Sequence, residues 1–233
     1  MIDTSTDSSI VAARAGDRCA ARYSHSRASH SGILFAHIDD VLRETGIAIQ
    51  DLTIIGTGTG PGSFTGIRIA VTTARMIAQI LSIPLVGIHS QELYAAGLIK
   101  DSTAGVKEGD LVLSAFDAKK TRIFGGLYRA KGGFPETVLA AGDYYPIELA
   151  AHSSANLIGC GNGSALCADA CESKGVTLRT IENYLPDAKA MSEIFIERYS
   201  RNPETYADYE KTLPFYARKS DAEVLHLQKI TKQ

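Results

Sequence analysis

The sequence lacks the features by which a chain binds nucleic acid on its own or crosses a membrane. Its 233 residues include 24 lysines and arginines against 26 aspartates and glutamates, a formal net charge of −2. Surfaces that bind nucleic acid usually carry a basic stripe. The densest basic stretches here, Lys119–Arg122 and Arg218–Lys219, are short and are interpreted as solvated surface. No apolar run approaches the roughly 20 residues of a membrane-spanning helix.

The sequence also has little that predicts secretion or metal binding. Met1–Thr4 lacks the basic flank and apolar core of a signal peptide, so we expect a cytoplasmic protein. Only four cysteines are present, Cys19, Cys160, Cys167 and Cys171, and reduced thiols fit that compartment. Cys167 and Cys171 can share a helix face, but no nearby histidine completes a familiar ligand spacing. We therefore predict no metal site.

Catalytic motifs are absent as well. The sequence contains no Gly-x-Ser-x-Gly nucleophile elbow, and its six histidines are scattered. His30 and His37 lie seven residues apart without a carboxylate or cysteine beside them, which favours packing or surface positions over a metal site. Asp3 and Asp117 each end a predicted strand, where a phosphate or metal site or a simple turn is possible.

Two segments of the chain repeat one plan. Ile2–Ser5 leads through a polar turn to Ile10–Ala13, and Leu111–Asp117 leads through another to Ile123–Tyr128. Each reads as a strand, an aspartate, a tight polar turn and a returning strand. The repetition predicts a duplicated α/β architecture of two related domains, each with a mixed sheet flanked by helices.

Helical and strand patterns occupy the rest of each half. Helices are predicted at Ser29–Thr45, Ser63–Leu81, Ser90–Ile99, Ser164–Lys174 and Ala188–Tyr199, and strands at Leu52–Ile55, Pro84–Ile88 and Asn156–Ile158. Residues 100–109 are interpreted as a linker. The predicted domains are residues 1–100 and 110–212. A tail, residues 213–233, is predicted to be helical and to pack back on the first domain.

The glycine-rich segment Gly56–Gly66 is the most distinctive local signal. Such a loop between a strand and a helix brings backbone N–H groups to a helix N-terminus, which favours anions. However, Ile67 follows Gly66 where a P-loop requires lysine, and no register of the loop meets the Gly-x-Gly-x-x-Gly dinucleotide pattern. The favoured interpretation is close backbone packing with Ser63 as the helix N-cap, and nucleotide binding is the alternative.

The helix predicted after this loop is apolar around more of its circumference than one sheet covers. One side carries Ile67, Ala70, Val71, Ala74, Ile77, Ala78 and Leu81, and a second stripe beside it carries Ile69, Thr73, Met76 and Ile80. The two stripes together span roughly 220°, whereas a helix on one sheet needs about 100°. Either the Ser29–Thr45 helix or a helix of a partner subunit covers the excess, and periodicity alone favours neither.

Two segments are characteristic: Ile2–Ser5 at the N-terminus and the motif Gly60-Pro61-Gly62-Ser63-Phe64-Thr65-Gly66-Ile67-Arg68 some sixty residues later. In these segments the sequence resembles the TsaB (YeaZ) family. Further agreement is found at Arg27, His30-Ser31, Asp117-Ala118-Lys119, Tyr128, Pro186, Ala188 and Pro214-Phe215-Tyr216-Ala217-Arg218. The resemblance covers almost the full length, with sparser matches in the second half.

The resemblance implies an actin-like (ASKHA) fold and a non-catalytic role. It implies pairing with TsaD, the subunit that transfers a threonylcarbamoyl group to an adenosine beside the anticodon of tRNA, and a ternary complex with the ATPase TsaE. It further implies at most indirect contact with tRNA, and ATP and magnesium on the partner subunits rather than on this chain. Because an exposed apolar helix seeks a complementary surface, a homodimer through the same face is expected when TsaD is absent.

Site residues follow from the same resemblance. Pairing through a shared helix bundle implies an interface of His30, Leu34, His37, Ile67, Val71, Ala74 and Ala78. The motif loop comprises Gly60, Pro61, Gly62, Ser63, Phe64, Thr65, Gly66 and Arg68. No catalytic residue is expected, because the His-x-x-x-His pair of TsaD is absent. The alternative is an ATP-binding or metallopeptidase-like enzyme of the same superfamily, with a nucleotide cleft at Asp3, Thr4 and Gly161.

Overall fold

The computed structural model describes residues 1–24, 30–153 and 156–218, and the side chains of His30 and Ser31 lie outside that description. The first half contains strands β1 (Ile2–Asp3), β2 (Ser9–Ala15), β3 (Arg18–Ser24), β4 (Ile55–Gly58) and β5 (Leu85–Ile88) and helices α1 (His30–Thr45), α2 (Phe64–Leu81) and α3 (Ser90–Lys100). A 3₁₀ turn at Ile49–Asp51 precedes β4.

Within residues 110–153 and 156–218, the second half adds five strands and four helices. The strands are β6 (Leu111–Asp117), β7 (Ile123–Lys131), β8 (Phe134–Tyr144), β9 (Asn156–Cys160) and β10 (Thr177–Ile181). The helices are α4 (Pro146–Ala151), α5 (Ala168–Ser173), α6 (Ala188–Arg201) and α7 (Pro203–Tyr206), with 3₁₀ turns at Ala165–Cys167 and Tyr209–Lys211.

The two sheets share one topology. Their strand orders are β3-β2-β1-β4-β5 and β8-β7-β6-β9-β10. In both, the first three strands form an antiparallel meander, and the central strand pairs in parallel with the fourth, which pairs in parallel with the fifth. This correspondence confirms the duplication that the repeated strand–aspartate–turn plan predicts.

Helices cover each sheet on both sides. On the outer side of the first sheet, α1 and α2 share one core cluster, which includes Leu34, Val41, Ala74 and Ile77. Between the two sheets lies a layer formed by α3 and α6, which contact each other. Although α3 follows β5, it packs mainly on the second sheet, whereas α6 packs on the first. Buried Leu98 and Met191 in this layer belong to a core cluster that reaches both sheets.

Several predicted elements differ from the observed ones. Strands β3, β8 and β10 were not predicted, because short or half-exposed strands give weak alternation. The helix predicted at Ser164–Lys174 is a 3₁₀ turn followed by the six-residue α5. The prediction of a helical tail is wrong for residues 213–218, which form no helix, and residues 219–233 lie outside the described chain. The domain boundaries near residues 100 and 110 stay a prediction.

No helix within the described part of the chain is both long enough and apolar enough to cross a membrane. The longest described helix, α2, has 18 residues and bears arginines at positions 68 and 75.

The layer between the sheets provides a test of how the two halves depend on each other. We expect Leu98→Ala to lower the free energy of unfolding by about 2–5 kcal/mol, because Leu98 is fully buried between the sheets. Leu166→Ala is the matched control, since Leu166 is 55% exposed and its loss should cost less than about 0.5 kcal/mol. Urea unfolding followed by circular dichroism measures both, and equal losses would contradict the packing.

Candidate functional site

The motif loop, residues Gly60–Gly66, connects β4 to α2 and is held by hydrogen bonds at both ends. At its start, the Gly60 N–H donates to Ser90 Oγ at 3.1 Å, and the Gly60–Pro61 peptide is cis. At its end, Ser63 caps α2, because its Oγ accepts from the Gly66 N–H at 3.3 Å. The predicted N-cap is therefore confirmed, and α2 begins at a defined point and direction.

Two glycines let this loop lie directly on the turn after β1. A Cβ added to Gly66 would overlap the carbonyl oxygen of Thr4, and one added to Gly62 would overlap that of Ser5. Hydrogen bonds hold the same contact, because the Ser63 N–H donates to Ser5 O at 2.6 Å and Thr4 Oγ1 donates to Gly66 O at 2.5 Å. The interpretation of close backbone packing is confirmed for these positions.

Asp3 and Thr4 lie beneath the motif loop, away from solvent. Asp3 is 2% exposed, and burial raises the pKa of its carboxyl group, an effect that the hydrogen bond from the Ser5 N–H to Oδ1 at 2.8 Å opposes. Both side chains are used inside the protein rather than presented to a ligand. Neither residue lines the two cavities described next, and their assignment to a nucleotide cleft stays a prediction.

A cavity of about 330 Å³, here called the central cleft, lies where the motif loop faces the second half of the chain. Its lining includes Ser63, Lys119 and Asn162. Asn162 bridges the halves, since its Nδ2 donates to Asp7 Oδ2 at 2.9 Å and its Oδ1 accepts from the Asp117 N–H at 3.0 Å. Gly161, the third predicted cleft residue, lines a neighbouring cavity of about 240 Å³ instead.

A strap formed by residues 212–218 crosses the motif loop and joins the two halves. The Phe215 N–H donates to Thr59 O at 2.8 Å, and its ring lies 4.6 Å from that of His89. Further along, Arg218 donates to Ala118 O at 2.8 Å in the second half. Burial lowers the pKa of His89, which favours its neutral form against the phenyl ring.

The strap also explains the arginine of the motif. Arg68 lies over the Phe64 ring at 4.0 Å, and its Nε donates to the Tyr216 hydroxyl at 2.8 Å. Phe64 and Tyr216 stack with their centroids 4.6 Å apart. Sequence reasoning missed this contact between two motifs about 150 residues apart. The available signal was that Pro214–Arg218 agreed with the family without an assigned role.

The interface implied by the resemblance included one apolar stripe of α2, but the structure exposes the other stripe. Five predicted interface residues are at most 2% exposed within this chain: Leu34, Ile67, Val71, Ala74 and Ala78. The structure places them in the core, which corrects the choice of stripe. The physical reason is that their small and branched side chains lie on the face with which α1 and α2 pack against the sheet.

An apolar patch remains on the outward faces of α1 and α2. Phe35 is 55% exposed, Met76 41% and Ile80 72%, and Ile69 is half-buried beside them on α2. We call Phe35, Ile69, Met76 and Ile80 the outer patch. Of the two predicted histidines, His37 is half-buried on α1, while the side chain of His30 lies outside the described residues.

The described residues form no metal centre. Nowhere in residues 1–24, 30–153 or 156–218 do three histidine, cysteine, aspartate or glutamate side chains come close enough to hold an ion. Burial raises the pKa of the Cys160 thiol to about 12 and that of Cys167 to about 12, so both are protonated at neutral pH.

Gly66 and Gly32 form a matched pair for testing the contact under the motif loop. Both are helical glycines, but nothing lies within 4 Å of a Cβ added to Gly32. We expect Gly32→Ala to raise the free energy of unfolding by about 0.5–1 kcal/mol. Gly66→Ala should lower it by about 1–3 kcal/mol despite the better helix propensity of alanine. Chemical denaturation measures both, and the same sign for the two variants would contradict the contact.

Comparison with known proteins finds similarity to proteins of tRNA modification. A family model described as "TsaD: tRNA N6-adenosine threonylcarbamoyltransferase" matches residues 24–193. A Bacillus subtilis protein named tRNA threonylcarbamoyladenosine biosynthesis protein TsaB is 34% identical over 139 residues, 59% of this chain and 58% of that protein. An Escherichia coli protein of the same name is 25% identical over 95% of this chain and 94% of that protein.

Comparison with solved structures supports the fold. YeaZ from Pseudomonas aeruginosa, at 24% identity, superposes with a TM-score of 0.76 over 92% of this chain and 97% of that one. The expected actin-like α/β fold of two related halves is confirmed. The chain belongs to the family described as TsaD: tRNA N6-adenosine threonylcarbamoyltransferase and, within it, to the TsaB (YeaZ) proteins, whose motif it carries and whose fold it shares.

Proposed function

We propose that this chain is a non-catalytic subunit that pairs with TsaD and supports threonylcarbamoyl transfer to the adenosine beside the anticodon of tRNA. Its relatives in B. subtilis and E. coli are named for the biosynthesis of that nucleoside. The observation that carries the proposal is the outer patch, with Ile80 72% exposed on an 18-residue helix whose other face is fully packed.

The outer patch has the chemistry of a helix-packing surface. Its side chains recur on α2 at positions 69, 76 and 80, the spacing at which a second helix interdigitates. Phe35 adds an exposed aromatic ring on α1, whose buried face shares a core cluster with that of α2. Aromatic and methionine side chains are enriched in protein interfaces. A helical partner surface would remove these side chains from water, at roughly 25 cal/mol for each Å² of apolar surface buried.

The absence of an assigned chemical step on this chain fits a supporting role. Asp3 is enclosed by the motif loop, the cysteine thiols have raised pKa values, and the lysine of a P-loop is replaced by Ile67. We infer that ATP and magnesium act on the partner subunits and that TsaE joins the pair formed with TsaD. The near-neutral charge of the chain supports contact with tRNA through its partners rather than directly.

Self-association follows from the same surface. An exposed apolar helix face is self-complementary around a two-fold axis, so a homodimer through the outer patch is expected when TsaD is absent. The two assemblies would then compete for one face. Sedimentation velocity of the chain, alone and with increasing TsaD, measures this competition.

Ile80→Asp tests the pairing proposal. The buried, unpaired carboxylate it places in the interface should weaken binding to TsaD at least 100-fold, since removing a charge from water without a partner costs several kcal/mol. Leu166→Asp is the matched control because Leu166 is also exposed but lies in the second half of the chain. Calorimetry with purified TsaD measures both, and unchanged affinity of a folded Ile80→Asp protein would overturn the assignment of this face.

Reconstitution separates a supporting role from an enzymatic one. TsaD and TsaE with this chain should modify tRNA, whereas omission of the chain should abolish or strongly reduce the product. ATP and magnesium added to the isolated chain should show no micromolar binding in calorimetry. Micromolar binding would instead favour the ATP-binding alternative, and full activity without the chain would contradict a supporting role.

A further inference from the structure

A row of polar side chains runs along α2 beside the outer patch. Arg68, Thr72, Arg75 and Gln79 follow one another at helical spacing, which places them on one stripe of the helix. We call this stripe the arginine rim. Its side chains are exposed, except that Arg75 is half-buried. The rim is therefore a surface feature of α2 and takes no part in its packing on the sheet.

The arginine rim forms one border of the outer patch. Ile69, Met76 and Ile80 each come one residue after a member of the rim, so the two stripes are rotated by about 100° from each other. On the opposite flank of the patch, Thr73 and Ile77 are buried, and Ile77 shares a core cluster with residues of α1. The outer patch thus lies between α1 and the arginine rim.

The charge of α2 is entirely positive and lies on this rim. Arg68 and Arg75 are the charged residues of the helix, which carries no acidic residue. Among the residues that the structure describes, no carboxylate forms an ion pair with either guanidinium. A positive border beside an apolar surface favours a partner that places carboxylates along the same border.

The α1 side of the outer patch carries the opposite charge. This helix has three acidic residues, Asp39, Asp40 and Glu44, against one arginine. Asp39 is exposed one turn after Phe35 and on the same face. Arg22 of β3 pairs with Glu44 at 2.7 Å and with Asp40 at 3.8 Å, so these two carboxylates are engaged within the chain. The asymmetry of charge across the patch defines one orientation for a charged partner.

The strap holds Arg68 in place for such a contact. The guanidinium carbon of Arg68 lies 4.0 Å from the centre of the Phe64 ring, and Nε donates to the Tyr216 hydroxyl at 2.8 Å. Within the described residues, its two terminal nitrogens donate to no other group. A guanidinium fixed in this way can bind a carboxylate through two parallel hydrogen bonds with little further loss of side-chain freedom.

We propose that the arginine rim binds carboxylates on the docking surface of the partner subunit, with Arg68 as the anchor. The occupant is a helical protein surface that is apolar over the outer patch and acidic over the rim. This inference rests on the pairing in the proposed function and adds the chemistry of the partner's surface and its orientation.

A phosphate backbone of nucleic acid fits the rim less well. Such a backbone is bound by a stripe of many cations, whereas the rim has two arginines. The acidic residues of α1, on the other side of the outer patch, would also repel phosphates. The apolar side chains between these two borders match a protein surface instead.

Binding of purified TsaD to the full chain tests the rim. Arg68→Gln should weaken binding at least tenfold in calorimetry, because a carboxylate of the partner would lose its donor at the interface. Arg68→Lys should recover only part of that loss, since an ammonium group lacks the planar fork. Arg129→Gln is the matched control, because Arg129 is a half-buried arginine of the second half that donates to Gly109 O at 3.0 Å. It should leave binding unchanged.

Salt dependence separates ion pairing from packing. Raising sodium chloride from about 50 to about 500 mM should weaken binding of TsaD to the unaltered chain, because salt screens charge pairs. The double variant Arg68→Gln/Arg75→Gln should show a clearly smaller salt dependence. Circular dichroism checks that each variant is folded, and a purely structural role of the rim would leave the salt dependence unchanged.

The outcomes distinguish this inference from the proposed function. Equal affinity and equal salt dependence of the unaltered chain and the Arg68→Gln protein would overturn the role of the rim. Loss of binding by Ile80→Asp in the same series would then leave the pairing itself intact. No binding of TsaD to the unaltered chain would overturn both proposals. Weaker binding of tRNA by the Arg68→Gln protein, with unchanged affinity for TsaD, would assign the rim to nucleic acid and overturn the protein contact.

Discussion

The contact between the motif loop and the turn after β1 determines where the rest of the candidate site lies. Its backbone atoms approach so closely that only glycine fits at Gly62 and Gly66, and hydrogen bonds from Ser63 and Thr4 hold it. Because α2 begins at this contact, its direction across the sheet is set there. The inward stripe of α2 is thereby pressed on the sheet, and the outer patch faces away from it.

The same contact joins the two halves of the chain through the strap. Phe215 lies on the strand end that leads into the motif loop, Tyr216 stacks on the first residue of α2, and Arg218 reaches the second half. The layer of α3 and α6 makes a second connection, since each helix packs mainly on the sheet of the opposite half. Movement between the halves would therefore disturb both the buried layer and the loop that positions α2.

Two polar residues at the end of β1, Asp3 and Thr4, are buried beneath the motif loop. In the position where a strand end could present a carboxylate to a ligand, Asp3 is enclosed, and its raised pKa reflects the loss of water around it. Thr4 donates its hydroxyl to the backbone of α2 instead of to the central cleft. Thr4 thereby helps to hold the first turn of α2 on the end of β1.

Much of the architecture could be predicted because it depends on local patterns. The strand–aspartate–turn plan around Asp3 and Asp117 predicted two related halves, the periodicity of residues 63–81 predicted α2 almost to its ends, and the glycine spacing indicated a packed loop. Half-exposed strands such as β3 and β8 escaped prediction, since alternation is weak where both faces contact a mixture of protein and water.

The amino-acid sequence alone showed the family motif, the excess apolar surface of α2 and the absence of a P-loop lysine. Only the tertiary structure decided which stripe of α2 is buried, because Val71 and Ile80 are equally apolar and differ only in which side of the helix meets the sheet. It also decided that Arg68 contacts Tyr216, about 150 residues away. Such contacts arise from the topology of the whole chain, which no short segment of the sequence specifies.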